Sequence, residues 1–158
     1  MQGCKSFSTL ANANEKLYMD DGILKANEKL FRSLVRGLMY LTHTQLDIMF
    51  LVSLVSRFMC NPSVHHLGAA RRILHYVRGT INYGIWYEPI PNFKLIGFTD
   101  SDWASFIDDR KSTRGFIFNI GSGVVSLSSK KQGSIALSLS QAEYIVVSSA
   151  TCQAIWIR

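Results

Sequence analysis

Lys94-Leu-Ile-Gly-Phe-Thr-Asp100 is a mostly apolar run that stops on a carboxylate. Its length and its aliphatic and aromatic content read as a strand. Two more strands follow, Gly115 to Ile120 and Val124 to Ser129, with Gly121-Ser-Gly123 between them as a hairpin turn. Ser138 to Arg158 then carries Leu139, Ala142, Val146, Ala150 and Ile157 on or near one face, the spacing of a helix. The order is strand, strand, strand, helix. One carboxylate, Asp100, ends the first strand, and another, Glu143, stands in the first turns of the helix.

Upstream, the pattern is helical. From Asn27 the apolar residues Leu30, Phe31, Leu34, Val35, Leu38 and Leu41 recur at three- and four-residue steps. A second helix is expected from Ile48 to about Met59, stopping before Asn61-Pro62. Ser63 can cap a third, which carries Leu67, Ala70, Arg71, Leu74 and Val77 before Gly79. Gly84-Ile-Trp-Tyr-Glu88 is a further short strand candidate, and Pro89-Ile-Pro91 marks a boundary. The class is therefore α+β. A polar lead-in over 1–26, extended or loosely ordered, precedes a helical segment over 27–88, and a strand–helix unit occupies 92–158. Ala-Asn-Glu-Lys-Leu occurs twice, at 13–17 and 26–30, a spacing too short for a solenoid repeat.

Hydrophobic residues make up 47% of the 158, enough for a packed core, and charged residues 18%, which argues against general disorder. The net charge of +6 and an isoelectric point near 9.4 favour anionic partners. Cys4, Cys60 and Cys152 are odd in number and widely spaced, so neither a disulfide framework nor a zinc cluster is indicated, and a reducing compartment fits. The start lacks the apolar run of a signal peptide. The most apolar stretch, Ile48 to Val55, is far shorter than the roughly 20 residues a bilayer requires. The expected setting is intracellular, cytoplasm or nucleus, without a membrane partner.

A helix packed across the sheet could bring Glu143 near the end of the first strand. Two carboxylates meeting there would make half of a magnesium site, because hard cations take oxygen ligands. In two-metal phosphodiester cleavage, paired ions activate the water and stabilise the leaving oxygen. Spacing alone leaves the plainer reading open, in which Asp100 is a turn residue and Glu143 complements the helix dipole.

The wording of the chain adds to this. Phe31-Arg-Ser-Leu-Val, Leu38-Met-Tyr-Leu-Thr, Asp47-Ile-Met-Phe, Ser56-Arg-Phe-Met and His66-Leu-Gly-Ala-Ala-Arg-Arg-Ile-Leu resemble the segment of copia-type retrotransposon Pol polyproteins beyond the reverse-transcriptase active site. So do Tyr76-Val-Arg-Gly-Thr, Gly97-Phe-Thr-Asp-Ser-Asp-Trp-Ala104, Asp109-Arg-Lys-Ser-Thr113, Ser128-Ser-Lys-Lys-Gln132 and Ala142-Glu-Tyr144. The resemblance covers nearly the whole chain, in order.

The resemblance implies a three-helix connection segment followed by an incomplete RNase H-like β-β-β-α unit. That family domain degrades the RNA strand of an RNA–DNA hybrid using Mg2+. Its first catalytic aspartate falls on Asp100 and its catalytic glutamate on Glu143, so both are the catalytic and metal-ligand candidates here. Asp102 is expected to shape the loop, with a competing claim to the ligand role. The family's remaining aspartates lie beyond the glutamate helix, so the fragment is expected to be inactive by itself, with weak Mg2+ binding. Its expected partners are an RNA–DNA hybrid or other nucleic acid and the rest of a Pol polyprotein. There are departures: Gln141 replaces an acidic residue, Gln45-Leu46 an Arg-Pro, Arg36 a glycine, Ser105 a glycine and Leu127 a tryptophan. The rival readings are a nucleic-acid-binding or scaffold remnant, and a co-opted interaction protein such as a secreted effector.

Other signals are declined. Tyr18-Met-Asp-Asp21 spells a reverse-transcriptase tetrad but lacks flanking apolar strands. His43, His65, His66 and His75 have no completing cysteine or acid, so surface or core roles are expected. Arg71, Arg72, Arg78, Arg110-Lys111 and Lys130-Lys131 could form a phosphate-contacting surface or a merely solvated one. Trp86, Trp103 and Trp156 are read as core or interface residues.

Overall fold

The computed structural model describes residues 5–11, 16–89, 91, 94–103, 106 and 108–158. Cys4, most of the first Ala-Asn-Glu-Lys-Leu copy, Ile90 and Ala104-Ser105 lie outside the described residues. The chain divides into two compact units, Met1–Gly84 and Ile85–Arg158.

In the first unit, α1 (Glu28–Leu41) starts where Asn27 Oδ1 accepts the Leu30 N–H at 3.0 Å. This satisfies one of the donors that a helix start leaves orphaned. Phe31, Val35 and Leu38 repeat every three or four residues and are fully buried. A 3-10 turn (Leu46–Ile48) leads into α2 (Met49–Ser56), which buries Val52 and Val55. The helix expected to reach Met59 ends earlier. The N–H groups of Arg57, Phe58 and Met59 turn back to the carbonyls three residues before them, at 3.2–3.3 Å. Pro62 lies shortly beyond, and the chain tightens ahead of it. α3 (Val64–Gly79) then buries Leu67, Ala70, Ile73 and Val77 against α1 and α2.

One polar joint organises this unit. His66 is fully buried, with its ring stacked on Phe58 at 3.9 Å between centroids. Its Nε2 faces the Tyr18 carbonyl at 2.9 Å, and a carbonyl only accepts, so Nε2 carries the proton. That leaves Nδ1 to accept the Ser63 N–H at 3.0 Å, while Ser63 Oγ accepts the His66 N–H at 3.3 Å, a capping box closed by an imidazole. Ser63 Oγ also donates to Asp21 at 2.5 Å. Phe7, Leu24 and Ala26 add backbone bonds to His75, Val64 and Pro62, so the described part of the lead-in is held to α3 and to the chain just before it. Tyr76 Oη donates to Asp47 at 2.6 Å, which pushes the phenol up to about 12.

In the second unit, β1 (Leu95–Ser101), β2 (Thr113–Ile120) and β3 (Gly123–Lys131) form an antiparallel sheet in that order. Asp100 pairs with Gly115 and Gly115 with Ser129, while a bulge at Phe118/Asn119 shifts the register nearer the turn. Gly121 makes that turn at φ +60°, where a side chain would be strained. α4 (Leu139–Ile157) is capped by Ser138, whose side chain accepts the Gln141 N–H at 3.2 Å, and it packs on β1 and β2 through Ala142, Val146 and Ala150. Phe118 fills the space over Gly97 that any Cβ would occupy. The α+β class and the helices-then-strands order are as expected.

The strand expected over 84–88 does not form. The segment has strand-like composition, but what it meets is the face of the β2–β3 turn. Tyr87 covers Gly123 and donates to the Val124 carbonyl at 2.5 Å, and the Glu88 N–H reaches Ser122 Oγ at 3.0 Å. The tryptophans are not core residues either: Trp86, Trp103 and Trp156 are all more than half exposed.

Two outcomes follow for the first unit. Phe58→Ala should lower unfolding free energy by about 3–5 kcal/mol, as read from denaturant midpoints, because it opens a cavity under His66. Ser63→Ala should cost about 1–2 kcal/mol through the lost cap. It should also flatten the acid limb. The Ser63 hydroxyl, partly opposed by burial and aided by the Ile23 N–H, holds the Asp21 carboxyl below its ordinary 3.8. A carboxylate favoured in the folded state contributes stability above its unfolded pKa and loses it as pH falls through the lowered folded value. The variant should therefore lose less stability than the parent as pH falls below about 4, measured by urea midpoints along that limb.

Candidate active site

The local geometry at the end of the sheet follows from where each chain segment stops. β1 runs to Ser101 and places Asp100 one residue from its end. Ser138 fixes the start of α4, which puts Glu143 a little over one turn into the helix. Both carboxylates are exposed to solvent. One neighbour of each is not: Ser101 is 8% exposed and Ala142 is fully buried.

Those two buried neighbours are tied to each other by one side chain. Gln132 follows β3 directly, is 1% exposed, and donates its backbone N–H to the Ser112 carbonyl at 2.8 Å. Its Nε2 donates to the Ala142 carbonyl at 3.1 Å and to Ser101 Oγ at 3.3 Å. The carbonyl can only accept, so the amide orientation is set: nitrogen faces Ala142. One amide thus joins the residue after Asp100 to the residue before Glu143.

Asp102 is built into the loop. Its Oδ1 accepts the Thr113 N–H at 2.7 Å, and its own N–H donates to the Thr113 carbonyl at 3.2 Å. Trp103 Nε1 donates to the Ala136 carbonyl at 3.3 Å. The basic residues divide by role. Lys131 forms an ion pair with Asp109 and lies 4.7 Å over the Phe106 ring, and Lys111 donates to the Gly133 carbonyl at 2.8 Å. Burial raises the Asp109 carboxyl, but the Lys131 hydrogen bond and the Lys111 N–H outweigh it and hold the group below its ordinary 3.8. Arg110 and Lys130 are exposed. In the first unit, Arg71 is exposed, while Arg72 donates to Thr9 Oγ1 at 2.7 Å and covers the Phe7 ring at 4.9 Å.

The declined signals end in structural roles. Tyr18 to Asp21 is irregular chain, with the Tyr18 carbonyl and the Asp21 carboxylate engaged by His66 and Ser63. Cys60 and Cys152 are free and exposed. Among the described residues no three histidine, cysteine or acidic side chains gather as a metal would require. No helix among them is long and apolar enough to cross a membrane.

The sequence reading gave Gln132 no role. The signal was present only as a polar residue closing the family-like run Ser128-Ser-Lys-Lys-Gln132. Nothing in that run announces that the glutamine, at 1% exposed, is the most deeply buried of the five.

No protein-family model matches the chain, and no solved structure matches it significantly. Curated proteins do. The retrovirus-related Pol polyprotein from transposon RE1 of Arabidopsis thaliana is 36% identical over 153 residues, 97% of this chain and 10% of that protein. The corresponding polyprotein from transposon TNT 1-94 of Nicotiana tabacum is 39% identical over 132 residues, again 10% of its length. A secreted RxLR effector protein, number 161, of Plasmopara viticola is 38% identical over 128 residues, 80% of this chain and 90% of that protein. The chain spans about a tenth of the Pol polyproteins it matches and most of the effector. With matches of this extent to polyproteins of two plants, the chain belongs to the family of copia-type retrovirus-related Pol polyproteins.

Proposed function

We propose that residues 95–158 are the opening of an RNase H-like domain, and that Asp100 and Glu143 are two of the carboxylates with which its parent cuts the RNA strand of an RNA–DNA hybrid. The observation that carries this reading is the Gln132 amide, which ties the end of β1 to the first turns of α4 beside both carboxylates. The antiparallel β1-β2-β3 order followed by a helix across β1 and β2 supports it.

The donor set fits Mg2+ in kind, since carboxylate oxygens are the ligands a hard cation takes. In number it is short: two exposed carboxylates, where a paired-ion site needs more. Bound there, magnesium would supply charge neutralisation at the attacking and leaving oxygens. The chain's own contribution is positional. The buried Ser101 and Ala142 fix the backbone next to Asp100 and Glu143, and both carboxylates face solvent. Arg110 and Lys130, exposed in the same unit, are suited to phosphate. On this reading the protein works in the cytoplasm or nucleus, beside the remainder of a Pol polyprotein.

A second reading has one observation in its favour, the effector relative spanned over 90% of its length. In that case the fold would be kept for protein contacts and the carboxylates would be idle.

Two measurements separate these. Purified residues 1–158 should bind an RNA–DNA hybrid weakly, with log affinity falling linearly against log salt by about 0.7–0.9 per phosphate contact. Binding that ignores salt, or its absence, would favour the effector reading. The bare chain should show no Mg2+-dependent cleavage above background. Joining it to the following segment of a Pol relative should restore cutting, and Asp100→Asn or Glu143→Gln should then return it to background. Robust cleavage by residues 1–158 would overturn the expectation that the two carboxylates are insufficient alone.

A further inference from the structure

We infer that Gln132 is a positioning residue for the Asp100–Glu143 pair, setting the spacing at which the two carboxylates meet a divalent cation. The inference rests on the proposed function and goes beyond it, because it assigns a role to a side chain that touches neither substrate nor metal.

Gln132 Nε2 bonds Ser101 Oγ and the Ala142 carbonyl, so it touches the residue immediately next to each carboxylate in the chain. Ser101 in turn donates to the Asp102 carbonyl at 3.2 Å, which extends the link into the loop after β1. The backbone N–H of Gln132 is fixed to Ser112, the residue before β2 begins. Three approaching segments therefore converge on this residue: the end of β1, the start of β2 and the first turns of α4. A shift of the amide moves the two carboxylate-bearing backbones relative to one another.

Its other end makes the choice of glutamine costly. Gln132 Oε1 is sealed from solvent and has no hydrogen-bond partner among the described residues. A buried acceptor left unpaired loses its hydration without return. An apolar side chain of the same length would fill the space without that loss. The site nevertheless holds an amide, whose nitrogen alone can reach both the Ser101 hydroxyl and the Ala142 carbonyl. A buried polar group that costs stability and fixes geometry fits positioning better than packing.

Gln132→Met tests this, since methionine matches the length and removes the donor. The probe is MgCl2 alone, followed by 15N NMR on residues 1–158, so no cleavage is required. In the parent, the Gln132 side-chain NH2 pair and the Ser101 and Ala142 amides should shift together on titration. Asp100→Asn should abolish those shifts. Gln132→Met should melt as cooperatively as the parent yet weaken the Mg2+ midpoint about ten-fold, and combining it with Asp100→Asn should add nothing further. If Asp100→Asn abolishes the response while Gln132→Met leaves the midpoint unchanged, the positioning role is overturned and the carboxylate pair stands. A parent that shows no Mg2+ response at these residues overturns both. If Gln132→Met unfolds, Ser101→Ala removes one of the two bonds and should weaken the midpoint several-fold; an unchanged midpoint there also overturns the inference.

Discussion

A backbone amide or carbonyl removed from water without a partner costs about 1–3 kcal/mol, so each place where separate segments meet inside a fold must supply one. In each unit of this chain, one buried polar side chain meets that constraint at a joint between segments. In the first it is His66, whose two ring nitrogens serve the Tyr18 carbonyl and the Ser63 N–H, while Phe58 covers its face. In the second it is Gln132, whose one nitrogen serves Ala142 and Ser101. The apolar cores supply most of the driving force, but Val35 or Val146 could pack in several registers. A histidine or an amide with two fixed partners accepts one. Register at these joints is therefore set by hydrogen bonds, and packing follows.

Much of the layout was legible in the sequence for local reasons. Ser63 reads as a cap before an apolar periodic run, and in the structure Asn27, Ser63 and Ser138 each cap a helix by accepting the N–H three residues on. Gly121 marks the tight turn. The misreadings are equally physical. Gly84 to Glu88 has strand composition, but a strand needs a ladder partner, and Tyr87 meets a turn instead. Local alternation cannot show what lies opposite. Trp86, Trp103 and Trp156, read as core or interface residues, are not in the core: exposure is decided by what covers a residue, and all three stand more than half open.

The candidate site divides in the same way. Asp100 and Glu143 could be picked out because a carboxylate at a strand end and another in a helix's first turns is a pattern of spacing and chemistry. Gln132 could not. Its role comes from contacts with residues 31 and 10 positions away, which no local pattern encodes. The Tyr18-Met-Asp-Asp21 tetrad shows the reverse error that spelling invites: the letters suggest a polymerase, while the side chain of Asp21 serves a helix cap.

The separation of exposed carboxylates from their buried neighbours has an electrostatic consequence. Two like charges 4 Å apart repel by about 1 kcal/mol in water but by about 4 kcal/mol in a partly buried setting. Water therefore lowers the cost of bringing carboxylates near one another, and Asp100 and Glu143 are both exposed to it. On the proposed reading, a loose scaffold would let the two side chains drift apart and weaken their hold on a cation. The Gln132 amide joins Ser101 to Ala142, the buried residues next to them in the chain. Precision comes from the desolvated layer, and charge stays in the hydrated one. The departures from family wording, such as Gln141 and Leu127, leave that layering intact: Gln141 serves the cap by accepting the Leu137 N–H at 2.7 Å, and Leu127 lies mid-strand. The frame that positions the carboxylates can thus persist while the residues around it drift.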